Sequence, residues 1–182
     1  MSDEGGIGGG RPTGRLAYVS LIGSAIAAAI AVAGVVGYLP GLGYLGSLGE
    51  SYIPMAPSTS LSILIVSLLI LRSRVAMGRS LLDSTFVILG LAESLFTAAK
   101  LIGSIVGRDL TPETGLFQGL GKTGAFPTGL MSPATAALLL AAGLGALMLL
   151  IDGKRRTATN SRSRDIASIL GTLVALIGLT FL

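Results

Sequence analysis

Five apolar blocks, each long enough to cross a bilayer as a helix, limit what this chain can fold into. They cover residues 16–39, 53–71, 81–106, 133–151 and 166–182. A helix rises about 1.5 Å per residue, so roughly twenty apolar residues span a hydrocarbon core. Of the 182 residues, 51% are hydrophobic and 12% charged, against about 25% charged in a soluble domain. The expected fold class is all-α, a polytopic membrane protein with about five transmembrane helices. Residues 1–15, Gly-rich and without periodicity, read as a disordered cytoplasmic tail, and 16–182 as one transmembrane helical domain.

The charges between the blocks set the orientation. Arg11 and Arg15 precede the first block. Arg72, Arg74 and Arg79 separate the second from the third. Lys154, Arg155, Arg156, Arg162 and Arg164 separate the fourth from the fifth. These are ten of the thirteen Lys and Arg; Arg108 and Lys122 fall on the other side, and Lys100 lies within the third block. The positive-inside rule then places the N-terminus in the cytoplasm, and five crossings leave Leu182 outside. A competing reading makes the first block a signal peptide cut after Ala33, at "AVAG". Its apolar stretch is longer than a usual h-region, and the leader is acidic and Gly-rich.

The chain has no cysteine and no histidine. Disulfides, thiolate nucleophiles, imidazole bases and the usual zinc or haem ligands are therefore excluded. No cofactor and no metal is expected.

One motif occurs twice. Met55-Ala56-Pro57-Ser58-Thr59 and Met131-Ser132-Pro133-Ala134-Thr135 each stand before an apolar run, 76 residues apart. Proline is tolerated at the first helical position, where its missing N–H would be unpaired anyway. Hydroxyls beside it can satisfy backbone groups at a helix start, which hydrocarbon would leave orphaned. Pro57, Thr59, Pro133 and Thr135 are thus expected to form a helix-start device at the outer interface. After each copy comes an inward-running helix, a basic hairpin and an outward-running helix opening near Asp83 or Asp165. Two such units form an internal repeat.

These segments resemble the "P-M-A-P-x-T-A" and "R-M-S-P-x-T-A" stretches in the N-terminal membrane sensor regions of bacterial sensor histidine kinases and PAS-linked diguanylate cyclases. Gly107-Arg108-Asp109-Leu110 is similar to that family's "G-x-D-L" stretch. The resemblance covers most of the chain from Leu16. It implies the membrane-embedded input module of a two-component signal-transduction protein, truncated before its cytoplasmic output domains and located in the plasma (inner) membrane. It implies no enzyme in this chain, because phospho-accepting histidine and nucleotide site are both lacking. A departure is that family members usually add a further Pro-Thr helix and then their output domains.

Other constellations have plainer readings. "GLFQGLGKTG" from Gly115 approaches a P-loop, but with Gly121-Lys122-Thr123 fixed the first glycine of that pattern would fall on Leu116. Ser80-Leu81-Leu82-Asp83 has capping-box spacing. Small residues recur every four positions at Gly23, Ala27, Ala31, at Ala137, Ala141, Gly145 and at Ala167, Gly171, Ala175. Such faces let helices approach closely, within the chain or in a homodimer. The basic loop from Asp152 suits anionic lipid headgroups, so the expected partner is the bilayer and not nucleic acid. The Gly-rich outer segments, about 40–52 and 107–129, are where an external ligand would bind.

Glu93 lies near the middle of the third block. A charge there costs on the order of 2.5–3.5 kcal/mol on insertion scales, so it should face the bundle and have a partner. Lys100 is seven residues on, roughly 10 Å along the axis, with Thr97 between as a bridge; Lys100 can instead snorkel to the outer interface. Glu93, Thr97 and Lys100 are the sensing candidates, weighed against a purely structural polar contact. Two further function classes stay open: a small transporter or channel subunit with a midplane site, and a ligand-free scaffold.

Overall fold

The computed structural model describes residues 13–38, 56–74, 81–108, 110, 112, 122–123, 126–127 and 130–154. Within them the apolar blocks are helices: α1 (Thr13–Val36), α2 (Pro57–Arg74), α3 (Leu81–Val106) and α4 (Pro133–Lys154). Two-residue strands, β1 (Lys122–Thr123) and β2 (Phe126–Pro127), pair antiparallel between α3 and α4. Lys122 and Thr123 therefore sit in a strand, where a P-loop would open a helix. The described part is all-helical apart from this ladder. Two segments, Leu82–Val106 and Pro133–Ile151, are long and apolar enough to cross a membrane. Ser20–Val36 and Pro57–Ser73 are shorter apolar helices, and the block at 166–182 lies outside the described residues.

The boundaries differ from expectation at identifiable places. α1 begins at Thr13, so the end of the expected disordered tail is helical. α2 begins at Pro57 and not at residue 53, because a residue preceding proline is pushed out of the α region. α2 and α4 each run about a turn into the basic loops, to Arg74 and Lys154.

The helix-start motif resolves into two unequal copies. In both, proline is the first helical residue and the preceding carbonyl accepts the first intrahelical bond, Ser60 N–H to Ala56 O at 3.0 Å and Ala136 N–H to Ser132 O at 2.9 Å. The second copy has a side-chain cap at the residue before its proline. Thr135 N–H donates to Ser132 Oγ at 3.1 Å, and the two hydroxyls lie 2.8 Å apart. Ala56 occupies the same place in the first copy and offers no oxygen. The first copy is buried through Ala56–Ser60, whereas Ser132, Pro133 and Ala134 are exposed.

α2 is the middle helix. α1 packs along it, α4 packs against it from another side, α3 packs along α4, and α2 and α3 touch more lightly. The close pairs are thus α1 with α2 and α3 with α4. The sequence repeat joins each helix after a Pro-Thr start to the helix beyond its basic loop; in the first unit these are α2 and α3, which touch more lightly than α1 and α2 do, and in the second unit the later helix lies outside the described residues. α2 and α4 run parallel: Ile63 packs with Met131, Ala136 and Leu139, and further on Val66 and Leu69 pack with Ala146 and Leu150. The 76-residue repeat is therefore a side-by-side pairing of α2 and α4, the two helices that follow its Pro-Thr motifs, at equal height.

The interior mixes apolar clusters with polar groups, and much of the exterior is apolar. Buried polar residues include Ser58, Thr59, Ser60, Ser62 and Ser67 of α2 and Glu93, Ser94 and Thr97 of α3. Large apolar side chains point outward, among them Ile22 and Ile26 of α1, Leu91, Leu95 and Ile102 of α3, and Met148 of α4. The small-residue faces are out of register with this packing. Gly23 is exposed with nothing near it, while Ser24, Ala31 and Gly34 are buried; Ala137 is exposed and Gly143, Gly145 and Ala146 are buried.

Both ends of α3 are tied down. At its start Asp83 accepts a hydrogen bond from Arg72 Nε at 2.9 Å and pairs with Arg72 Nη2, nearly shielded from solvent. Asp83 is thus a cross-helix ion-pair partner of α2, not only the acid of a capping box; Ser80 lies outside the described residues. At its end Gly107 takes φ +71° and Arg108 N–H donates to Gly103 O at 2.9 Å. That bond, six residues back to one, is the Schellman stop, and its left-handed position favours glycine.

Candidate functional site

Glu93 is carried a little over three turns into α3 by an uninterrupted helix, on the face that meets α2 and α4. Only 3% of it is exposed. The bundle closes around it because α4 presents Gly143 there. A Cβ built on Gly143 would collide with Glu93 Oε2, and Ser94 Oγ lies 3.3 Å from the same point. One turn away the helices are equally close: a Cβ on Gly90 would come within 3.0 Å of both Leu147 and Leu69. Two glycines on facing helices thus bring α3 against α4 and press the carboxylate onto backbone.

The carboxylate is not paired. Neither Glu93 Oε1 nor Oε2 has a hydrogen-bond partner among the described residues, and the same is true of the neighbouring Ser94 Oγ. Ser62 of α2 faces the carboxylate across the interface without closing a hydrogen bond to it. Ser60 Oγ is also buried and unpartnered, but lies roughly 200° around α2 from Ser62 at about 100° per residue, so it belongs to a different face.

The two residues expected to assist Glu93 behave otherwise. Thr97, fully buried, donates its hydroxyl to the backbone carbonyls of Glu93 at 3.0 Å and Ser94 at 3.2 Å. It is a back-bonded helix hydroxyl and does not bridge to Lys100. Lys100 is half-buried and makes no hydrogen bond to the carboxylate. It lines a shallow open recess with Gly103, Ser104, Gly107 and Arg108 at the far end of α3. Sequence reading missed Gly143, Ser62 and Ser94. In a chain with 27 glycines a single small residue carries no local signal; the 76-residue repeat, which sets α4 beside α2 and so beside the site, was the pointer available.

Fold and site together define a helical bundle with an apolar exterior and a buried acidic seam where three helices meet. No family model, curated protein or solved structure matches the chain.

Proposed function

We propose that this chain is the membrane-embedded input module of a bacterial signal-transduction protein of the two-component histidine kinase type. In this reading it is multi-pass in the plasma (inner) membrane with its N-terminus in the cytoplasm. It performs no catalysis; output domains of the full signalling protein carry that step. The observation that carries the reading is Glu93, a carboxyl group buried at the junction of α2, α3 and α4 without a hydrogen-bond partner among the described residues. Ionisable groups inside membrane helices are expensive and tend to serve function. A charge change there acts on three helices at once, and that is a means of moving them relative to one another. The repeated Pro-Thr starts and the resemblance they carry supply the signalling context.

The test is a chimera in which Leu182 is joined, through one further crossing helix, to a histidine kinase output domain. Wild type should respond to a change in external pH or salt, Glu93→Gln should be locked in one state, and Glu93→Leu should follow it. Equal responses from all three would defeat the reading. The same carboxyl, lying where α2 and α4 of the two repeats meet, also suits a small transporter or channel subunit. Ion flux through vesicles containing this chain alone, abolished by Glu93→Gln, would favour that second reading.

A further inference from the structure

We propose that Glu93, Ser94 and Ser62 form a binding site for one small monovalent cation, sodium, between α2, α3 and α4. The proposal deepens the reading of Glu93 given above and rests on it. A carboxylate removed from water needs a counter-charge and hydrogen bonds. Among the described residues, no charged group of the surrounding helices hydrogen-bonds to it. The Arg72–Asp83 pair is closed on itself, and Asp83 lies ten residues back along α3, about 15 Å. Lys100 lies seven residues forward and makes no hydrogen bond to the carboxylate. The charged residues of α4 are Asp152 and Lys154, nine and more residues beyond Gly143.

What surrounds the carboxylate is oxygen. Its own two oxygens and Ser94 Oγ are buried without partners among the described residues, and the buried Ser62 hydroxyl faces them from α2. Carboxylate and hydroxyl oxygens are hard donors suited to hard cations. One carboxylate balances one positive charge; the serines add lone pairs and no charge, so a divalent ion would be left with an excess. Magnesium, in addition, holds its waters tightly and demands a near-octahedral shell. Glu93 Oε2 and Ser94 Oγ converge on one point beside Gly143, and donors held this close on short serine side chains favour the smaller alkali ion. Gly143 completes the wall, since any side chain there would occupy the place of Glu93 Oε2. Ser60, on another face of α2, is not part of the cage.

The experiment uses the full chain in detergent micelles and dicyclohexylcarbodiimide, which modifies a protonated carboxyl in apolar surroundings. Modification of Glu93 is followed by peptide mass spectrometry in sodium, potassium or choline chloride at equal ionic strength. Sodium at about ten times its Kd leaves roughly a tenth of the sites free. Labelling should therefore slow about tenfold in sodium, less in potassium and not in choline. Ser94→Ala and Ser62→Ala should keep the labelling but lose most of the sodium protection. In parallel, sodium should raise Tm, and Glu93→Gln should abolish the rise. The proposal is overturned if sodium and choline give equal labelling and equal Tm, or if the sodium-dependent Tm rise survives in Glu93→Gln. In the first case the carboxyl exchanges only a proton, and the signalling reading stands untouched. Sodium protection with an unresponsive chimera would leave the site and remove the signalling role.

Discussion

Gly143→Ala adds one methyl group at the tightest point of the α3–α4 interface, and its effect can be worked out from the contacts. The new Cβ would overlap Glu93 Oε2 and lie 3.5 Å from Glu93 Cδ and 3.3 Å from Ser94 Oγ. Glu93, with 3% of its surface exposed, has little space into which to withdraw. The helices must separate, which also loosens the contact of Gly90 with Leu147 and Leu69. Overpacking of this kind costs about 1–3 kcal/mol. Against it, alanine is a better helix former than glycine by about 0.8–1.0 kcal/mol. The net expectation is a destabilisation of roughly 0–2 kcal/mol. The Glu93→Ala background separates the two contributions, because removing the carboxylate removes the clash. There Gly143→Ala should stabilise by about 1 kcal/mol, from helix propensity alone. The double-mutant cycle should then show a coupling of about 1–3 kcal/mol, the overpacking term itself, measured by reversible unfolding in mixed micelles. If Gly143→Ala had the same effect in both backgrounds within about 0.5 kcal/mol, the carboxylate would not lie against Gly143 and the site would be wrong.

Three further outcomes are expected. Arg72→Ala leaves Asp83 buried without its cation and should destabilise by about 3 kcal/mol in the same unfolding assay; the swap Arg72→Asp with Asp83→Arg should recover part of that loss. Ser132→Ala removes the side-chain cap that Ser132 gives α4 and should cost about 1 kcal/mol, whereas Ala56→Ser, offering the equivalent hydroxyl to α2, should not destabilise; calorimetry in detergent reads both. Single cysteines at Gly121 and Ser161, probed on intact cells with an impermeant reagent, should label only at Gly121; labelling at Ser161 alone would reverse the proposed orientation.

The parts of the fold that were legible in the sequence are those governed by local rules. Proline disfavours helix before itself and suits the first helical position, so α2 and α4 begin where the two prolines stand. α3 covers residues 81–106 as its apolar block implied, and Glu93 is interior, as the cost of a mid-block charge demanded. What was not legible depends on which helix lies beside which. Arg72 and Asp83 each had a sufficient local reading, as a topogenic charge and as a first-turn acid; their pairing needed the α2–α3 geometry. A four-residue spacing of small residues also misleads, because at about 100° per residue three such positions drift by roughly 80° around the helix. That drift is why Ala31 is buried while Gly23, two steps earlier, faces open space.

The apolar exterior and the buried polar groups bear on what holds this bundle together. In water, exposed Ile26, Leu91 and Leu95 would drive association and the serines of α2 would weaken it. In hydrocarbon the balance reverses, because lipid tails are as apolar as leucine and burying a leucine between helices gains little. Helix association there rests on close backbone approach and on polar contacts, and both are concentrated on α2, α3 and α4. Gly90 and Gly143 provide the approach; Ser62, Glu93 and Ser94 provide the polar groups. The least apolar helix, α2, is then the best choice for the centre, since its hydroxyls have more to gain from neighbours than from lipid. The same arithmetic makes an unpartnered carboxyl the least settled element of the bundle. Whatever neutralises Glu93, proton or sodium, contributes directly to the α3–α4 contact that Gly143 permits. A change at one group is thereby felt along the whole interface between the two repeats.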